Sequence, residues 1–343
     1  MSIILDAMGS DQHPDPEISA AVTAAQRYGE EILLVGPEGL LKSKLAELPA
    51  QGLPVQVVDA PDVLDMTDHP VEASRQKPRN SMAVGIQLLK EGRGRAFVSA
   101  GNTGGVMFNA LRILGRVEGV ERPALTALFP THTGNCVIID LGANVDCRPE
   151  FLVQFAIMGS LYAQKVLKIE NPRIGLLSNG EEAGKGNDLV KKTYPLLQRT
   201  NLNFVGNVEP KEIFAGQADV AVTDGFIGNI MAKTSEALAK FMTDTLRDSI
   251  MSSLRTKIGG LLIRPVFDEL RHLVNPSEVG AAPLLGLNGL VFVGHGRSHS
   301  EDLVSAIRVA RQAADEDLTT LLRAGIQEGL AAIPPDVETQ VGA

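Results

Sequence analysis

Lys185 lies between Gly184 and Gly186, where nothing stops it pointing at an anion; an ordinary exposed lysine is the competing account. Asn229 and Lys233 stand four residues apart and share one helix face, and Asp224 ends the strand before them. They put an acid, an amide and a cation around one helix start, or else the acid only caps the helix and the lysine is only solvated. His295, between Gly294 and Gly296, has the exposure that proton transfer needs, with a hydrogen-bonded structural histidine as the alternative. Asn144 and Asp146 follow Gly142, placed to orient a substrate or to close an Asx turn. Cys147 could carry a thioester, but no histidine is near it in sequence, and a structural role fits better. Asp244 and Asp248 form a D-x-x-x-D pair that could ligate a divalent metal or could be a solvated face beside Arg247.

The stretch that organises these residues is Ser99-Ala100-Gly101-Asn102-Thr103-Gly104-Gly105. It follows the apolar run Ala96-Phe97-Val98 and leads into helical spacing from Val106, so it reads as strand, glycine-rich turn and helix. Such a turn aims backbone N–H groups and the positive end of a helix dipole at one spot, which suits an anion. Gly101 and Gly104 let a ligand approach closely, and Asn102 and Thr103 can cap the helix or bond a phosphate oxygen. The pattern is neither G-x-G-x-x-G nor a Walker loop, so it implies no nucleotide. An ordinary strand-to-helix turn explains the loop alone equally well.

The elements around it alternate. Strands at Ile3-Ile4-Leu5, 31–35, 55–58, 96–98, 174–177, 204–205, 220–222 and 291–293 are interleaved with helices from about Pro14, 40–48, 81–89, 150–168 and Ser300. That order predicts a three-layer α/β/α fold with a mostly parallel sheet. Leu125–Phe129 and Cys136–Asp140 flank Pro130-Thr131-His132-Thr133-Gly134-Asn135 as a hairpin, which adds an antiparallel part. Loops 99–105, 141–146, 178–187 and 223–229 all follow strands and are expected to converge on one site, because open sheets bind ligands beyond strand carboxyl ends. Residues 60–80 read as a long polar loop carrying Arg75, Lys77 and Arg79. A helix from about Asn229 to Leu254 bears Leu238, Met242, Leu246, Ile250 and Leu254 every fourth residue, the pattern of a packing or dimer seam. Ile258, Leu261, Leu262, Ile263 and Phe267 are apolar, with Arg255, Lys257 and Arg264 about them, which suits an anionic membrane surface or a dimer partner.

Residues 1–333 are expected as one unit, with a helical segment around 240–275 protruding and a disordered tail over 334–343. The formal charge of −9 argues against general nucleic-acid affinity. Two cysteines without a C-x-x-C pair suit a reducing compartment. The first residues lack a signal peptide's features and no run approaches bilayer length, so a cytoplasmic protein, able to attach to a membrane surface, is expected.

Eight motifs in order then resemble the acyl-ACP:phosphate acyltransferase family (PlsX type). They are Asp6-Ala7-Met8-Gly9, Ser99–Gly105, Arg122-Pro123-Ala124, Asp140–Asn144, Gln154-Phe155-Ala156, Gly180-Glu181-Glu182 with Lys185-Gly186-Asn187, Asp224-Gly225-Phe226 with Gly228-Asn229, and Gly294-His295-Gly296. Ser10, Ser178-Asn179 and Arg297-Ser298-His299 depart from the family pattern. The resemblance implies transfer of a long-chain acyl group from acyl carrier protein to inorganic phosphate, giving acyl phosphate for a membrane glycerol-3-phosphate acyltransferase in phospholipid synthesis. It also implies a fold similar to the isocitrate/isopropylmalate dehydrogenase group, a homodimer, and no required metal, nucleotide or other cofactor.

On that resemblance the 99–105 turn with Lys185 and Lys233 would bind phosphate, and Asn144, Asp146 and Asn187 would complete the substrate contacts. Asn229 or a backbone N–H would hold the oxyanion, and Asp224 and His295 would orient phosphate or handle protons. Arg75, Lys77 and Arg79 would meet the acidic carrier. A metal- and nicotinamide-dependent hydroxy-acid dehydrogenase using Asp244 and Asp248, or a non-enzymatic membrane scaffold, are the rival readings.

Overall fold

The computed structural model describes residues 2–264 and 280–331. Apolar runs bounded by turn residues give the strands β1 (Ser2–Asp6), β2 (Ile32–Gly36), β3 (Val55–Asp59), β4 (Gly94–Ser99), β5 (Ala124–Thr131), β6 (Gly134–Ile139), β7 (Ile174–Leu177), β8 (Phe204–Val208), β9 (Val220–Val222), β10 (Ala282–Leu285) and β11 (Leu290–Val293). Among the described residues they form one sheet in the order β3-β2-β1-β4-β11-β10-β5-β6-β9-β7-β8. Strands β1, β2, β4, β7, β9 and β11 are almost wholly buried on both faces, which is why they read as continuous apolar runs.

Helices cover both faces. One face carries α1 (Asp15–Tyr28), α6 (Pro149–Val166), α11 (Ser300–Asp315) and α12 (Leu318–Ala331), whose Ile18, Phe155, Ile307 and Ile326 share a core with Leu5 and Val137 of the sheet. The other carries α4 (Ser81–Lys90), α5 (Thr103–Ile113), α8 (Pro210–Phe214) and α9 (Gly225–Met251). There Val106 and Ala110 of α5 pack in one apolar cluster, and Ile227 and Met231 of α9 in another. Leu125 of β5 belongs to both clusters, so α5 and α9 flank the middle of the sheet on the same side. Three layers with a mostly parallel sheet are therefore present, as expected. The 60–80 stretch holds a short helix, α3 (Pro70–Gln76), and α2 (Glu38–Ala46), α7 (Asp188–Gln198) and α10 (Leu254–Leu262) complete the described helices.

Strand direction corrects one expectation. β4 and β11 are parallel, β11 and β10 antiparallel, β10 and β5 antiparallel, and β5 and β6 antiparallel. β6, β9, β7 and β8 then run parallel to one another. The carboxyl ends of β6, β7 and β9 consequently leave the sheet at the edge opposite to those of β1, β4 and β11. Loops 141–146, 178–187 and 223–229 share one edge, while 99–105 and 294–296 lie at the other. Four loops do not meet at a single edge.

Phe267 and the 334–343 tail fall outside the described residues, as does the 265–275 part of the protruding segment. The rest of that segment is a hairpin of α9 and α10, with Gly260 packed against Ile250. Its apolar stripe is open: Leu238, Phe241, Met242, Leu254 and Leu262 are all exposed, Leu254 by 80%. No helix among the described residues is long and apolar enough to cross a membrane.

Candidate active site

At the first edge, β1 ends in Asp6, which is fully buried. Its carboxylate accepts the Met8 N–H at 3.0 Å and the Ser99 hydroxyl at 2.6 Å. Burial pushes its pKa up, against the pull of Ser99, Ser81 and Met8. Ser99 also accepts the Gly101 N–H at 3.1 Å, so its hydroxyl is spent inside the protein and braces the turn from beneath. Gly9 permits this: a Cβ there would stand 2.9 Å from the backbone nitrogens of Ala100 and Gly101. Asn102 caps α5 by accepting the Gly105 N–H at 3.1 Å, and its amide donates to the Met66 and Asp68 carbonyls. Gly101 is buried, whereas Thr103 and Gly104, in the first turn of α5, are partly open. Their N–H groups are among those a helix start leaves unpaired within the helix.

The 294–298 loop packs against this turn, since Gly294 lies against Ala100 and the Gly296 carbonyl accepts the Asp11 N–H at 2.7 Å. His295 stands exposed on it, with Nε2 3.2 Å from Glu236 Oε1 of α9. The hydrogen bond to Glu236 raises the His295 pKa above its ordinary value, although burial, Lys233 and Arg297 push the other way. Glu236 is correspondingly lowered by His295. Sequence reasoning missed Glu236. The signal was there: Asn229, Lys233 and Glu236 follow i, i+4, i+7 spacing and share one face of α9.

At the second edge, β6 ends just before Asp140, also fully buried. It accepts from the N–H groups of Leu125 (2.8 Å), Ala143 (3.2 Å) and Asn144 (2.7 Å) and from the Asn144 amide (2.9 Å). Burial still pushes its pKa up. Asn144 is buried and fully engaged, its amide donating to the Pro123 carbonyl at 2.8 Å and its own carbonyl accepting the Gly225 N–H at 2.8 Å. Asp224 caps α9 through the Ile227 N–H at 2.9 Å. Gly228 seats the helix on the turn: a Cβ there would come within 1.9 Å of the Asp140 carbonyl. Asn229 is exposed beside Gly142, and Asp146 is exposed. The Cys147 thiol donates to the Asn144 carbonyl, and burial and Asp140 push its pKa up to about 12, far from a nucleophilic thiolate.

Lys185 lies farther along this second edge, exposed and with no acidic partner among the described residues. Its loop follows β7, and β9 stands between β7 and β6. Asn187 caps α7 through the Val190 N–H at 3.0 Å. Beside this loop Lys211 reaches Glu181 at 3.2 Å and Glu212 at 3.6 Å, and also pairs with Glu209, so an ammonium already sits among three carboxylates.

The structure thus brings His295, through Glu236, to the stretch of α9 that carries Lys233, beside the 99–105 turn, while Asn229 sits by Gly142 at the second edge. It leaves Lys185, Asp146 and Asn187 at the other edge, so the expected phosphate trio of turn, Lys185 and Lys233 is not assembled within one chain. Of the three cations over 75–79, Lys77 pairs with Asp68 at 2.6 Å and Arg79 with Asp59 at 2.9 Å, leaving Arg75 the more available. Asp244 pairs with Lys240 at 2.9 Å.

Residues 1–321 match the family described as "Fatty acid synthesis protein". The phosphate acyltransferase of Acidobacterium capsulatum is 43% identical over 94% of this chain and 96% of its own length. That of Elusimicrobium minutum is 44% identical over 96% of each chain. In overall shape the chain is similar to a phosphotransacetylase from Streptococcus pyogenes, with a TM-score of 0.60 at 19% identity, covering 92% of this chain and 94% of the other. A Salmonella typhimurium chain described as a putative 4-hydroxythreonine-4-phosphate dehydrogenase matches with a TM-score of 0.52 at 14% identity, over 91% of this chain and 98% of the other.

Proposed function

The chain belongs to the fatty acid synthesis protein (PlsX) family of phosphate acyltransferases, and from that premise we propose that it moves a long-chain acyl group from acyl carrier protein to inorganic phosphate. The observation that carries this reading is the contact of His295 with Glu236. It brings α9 of one half of the sheet to the turn of the other half, with Lys233 in electrostatic reach of His295.

Phosphate sits at the first turn of α5, held by the Thr103 and Gly104 N–H groups and by Lys233. One of its oxygens attacks the thioester carbonyl. That attack makes the C–O bond of acyl phosphate; the oxyanion it forms is held by Asn229 or a backbone N–H, and its collapse re-forms the carbonyl and breaks the C–S bond. The thiolate takes the proton that phosphate gives up, relayed by His295. Glu236 keeps that imidazole in place. Phosphate is already a nucleophile, so positioning supplies most of the rate. The fatty chain lies over the apolar surface between α5 and α9, around Leu125 and Met107, where each buried methylene is worth about 0.8 kcal/mol.

Two docking surfaces go with this reading. The open α9 stripe seats a second copy of the chain, making a homodimer. Ile258, Leu261, Leu262 and Ile263, beside Arg255 and Lys257, rest on an anionic membrane surface, where the product passes to a membrane glycerol-3-phosphate acyltransferase. The deciding experiment incubates the purified protein with acyl carrier thioester and phosphate and looks for acyl phosphate by mass spectrometry. Its formation, dependent on both substrates, is expected; thioester turnover indifferent to phosphate would overturn the reading.

A further inference from the structure

At the end of α5 away from the Asn102 cap lies a cavity of about 320 Å³, lined by Leu111, Arg116, Glu121, Arg122, Arg148 and Phe151. Three guanidiniums and a single carboxylate border it, leaving an excess of positive charge. Arg148 pairs with the Glu121 carboxylate, and Arg116 donates to the Glu121 carbonyl. Glu121 is itself fixed, because its N–H donates to Gln154 Oε1 at 2.8 Å and the Gln154 amide donates to the Gly119 carbonyl at 3.2 Å. Arg122 and Arg148 stand over the Phe151 ring, 5.8 and 4.6 Å from its centre. Stacking of this kind fixes a guanidinium plane and leaves its N–H edge for an oxyanion. Neither Arg116 nor Arg122 has a carboxylate partner among the described residues. The Arg122 fork, the N–H groups that Arg116 and Arg148 leave over, and an apolar wall suit a phosphate ester that carries an organic arm.

We infer that this pocket holds the phosphate through which the acyl donor's pantetheine arm joins its carrier. The inference rests on the carrier-thioester reading above and assigns residues to its donor. Length supports it. Such an arm has about thirteen bonds from phosphorus to sulfur, the reach of about four extended residues, or roughly 15 Å. The 11 residues of α5 span about 16 Å, with the acceptor site at one end and this pocket at the other. A donor phosphate held here delivers its thioester to the Asn102 end. The pocket also adjoins the Asp140 platform directly, since Arg122 precedes Pro123, whose carbonyl accepts from Asn144.

Inorganic phosphate shares this chemistry, and kinetics separate the two sources. The full chain is compared with an Arg122→Ala, Arg148→Ala variant, using acyl carrier thioester and an acyl-pantetheine that lacks the phosphate. The double variant is expected to raise the KM for the carrier donor by about tenfold or more, with the KM for inorganic phosphate moving less than about twofold. The advantage of the phosphorylated donor over the plain one should vanish in it. Arg122→Lys with Arg148→Lys, which keeps charge and loses the fork, should fall between. A rise in the KM for inorganic phosphate instead, or no change in either KM, overturns the inference. Should the double variant not fold, competition on the unaltered protein decides: phosphopantetheine must inhibit against the carrier donor far better than pantetheine, and equal inhibition sinks the idea. Failure of the unaltered protein to make acyl phosphate would count against the donor reading itself, before any variant is made.

Discussion

The two edges of the sheet carry the same device built to different tolerances. Each has a buried aspartate at a strand end, a glycine that lets two turns touch, and an Asx residue capping a helix beside it. Asp140 receives four donors, one of them the amide of Asn144, which in turn is tied to Pro123 and Gly225. Asp6 has the Met8 N–H and the Ser99 hydroxyl, and it shares its burial with another acid. That acid, Glu17, accepts the Ser10 N–H at 2.8 Å, while its second oxygen and the Ser10 hydroxyl lack a hydrogen-bond partner. Burial lifts the Glu17 pKa to about 7, with a smaller push from Asp6. The second edge is a saturated platform, and the first is a platform with a proton left to titrate.

If that contrast is right, closing the glycine contacts should hurt the second edge more. Gly228→Ala drives a methyl to 1.9 Å from a backbone carbonyl and should cost about 3 kcal/mol or more in urea unfolding. Gly9→Ala meets backbone nitrogens at 2.9 Å and should cost about 1–2 kcal/mol. Equal costs would erase the distinction. The titrating acid gives the next largest effect. A carboxyl whose folded pKa is raised stabilises fully below its unfolded value, and the contribution is lost as pH rises through the folded one. Glu17→Gln should therefore gain on the unaltered protein by about 2–3 kcal/mol as pH goes from about 4.5 to about 8, read as the difference in unfolding free energy across that window. A flat difference would mean that Glu17 ionises normally.

The strand-and-helix alternation was legible because buried parallel strands carry unbroken apolar runs; 174–177 and 220–222 match their strands residue for residue. Strand direction was not. It turns on β10, four residues containing Pro283, and proline argues against a strand in any pattern reading. Without β10 the reversal between β4 and β6 is hidden, and every strand-end loop looks as if it faces one way. The site was legible in pieces. Asn229, Lys233 and His295 were recognisable from residue type and spacing; Glu236 shares the helix face of the first two, but its pairing with His295 is made only by tertiary structure. Ser99 and Asn144 look like ligand contacts in sequence because the same polar groups that bind ligands also satisfy buried aspartates.

The division of the loops between edges predicts that the two lysines part company. Lys233→Ala should raise the KM for phosphate about tenfold or more, the worth of a charge-assisted hydrogen bond to an anion. Lys185→Ala should leave that KM within about twofold, because its loop lies on the opposite edge. Equal losses would mean that the two edges meet in the working enzyme, with a second chain as the obvious way to join them.

The smallest effect tests the contact of His295 with Glu236, which bridges the edges. The His295 pKa is raised first by the hydrogen bond to Glu236, then by that carboxylate's charge, and opposed by burial, Lys233 and Arg297. Titration of the ring by NMR should have its midpoint above the ordinary histidine value of 6.5. Glu236→Gln should lower that midpoint, because the two cations then act without the carboxylate. The sign fixes the pH window: a raised histidine stabilises the α9 contact fully below its unfolded pKa, and the contribution fades as pH rises through the folded value. Any dependence of the phosphate KM on this bridge should thus appear on the alkaline side and shrink in Glu236→Gln. A midpoint that does not move in that variant would show the contact to be incidental, and Lys233 would then be positioned by α9 alone.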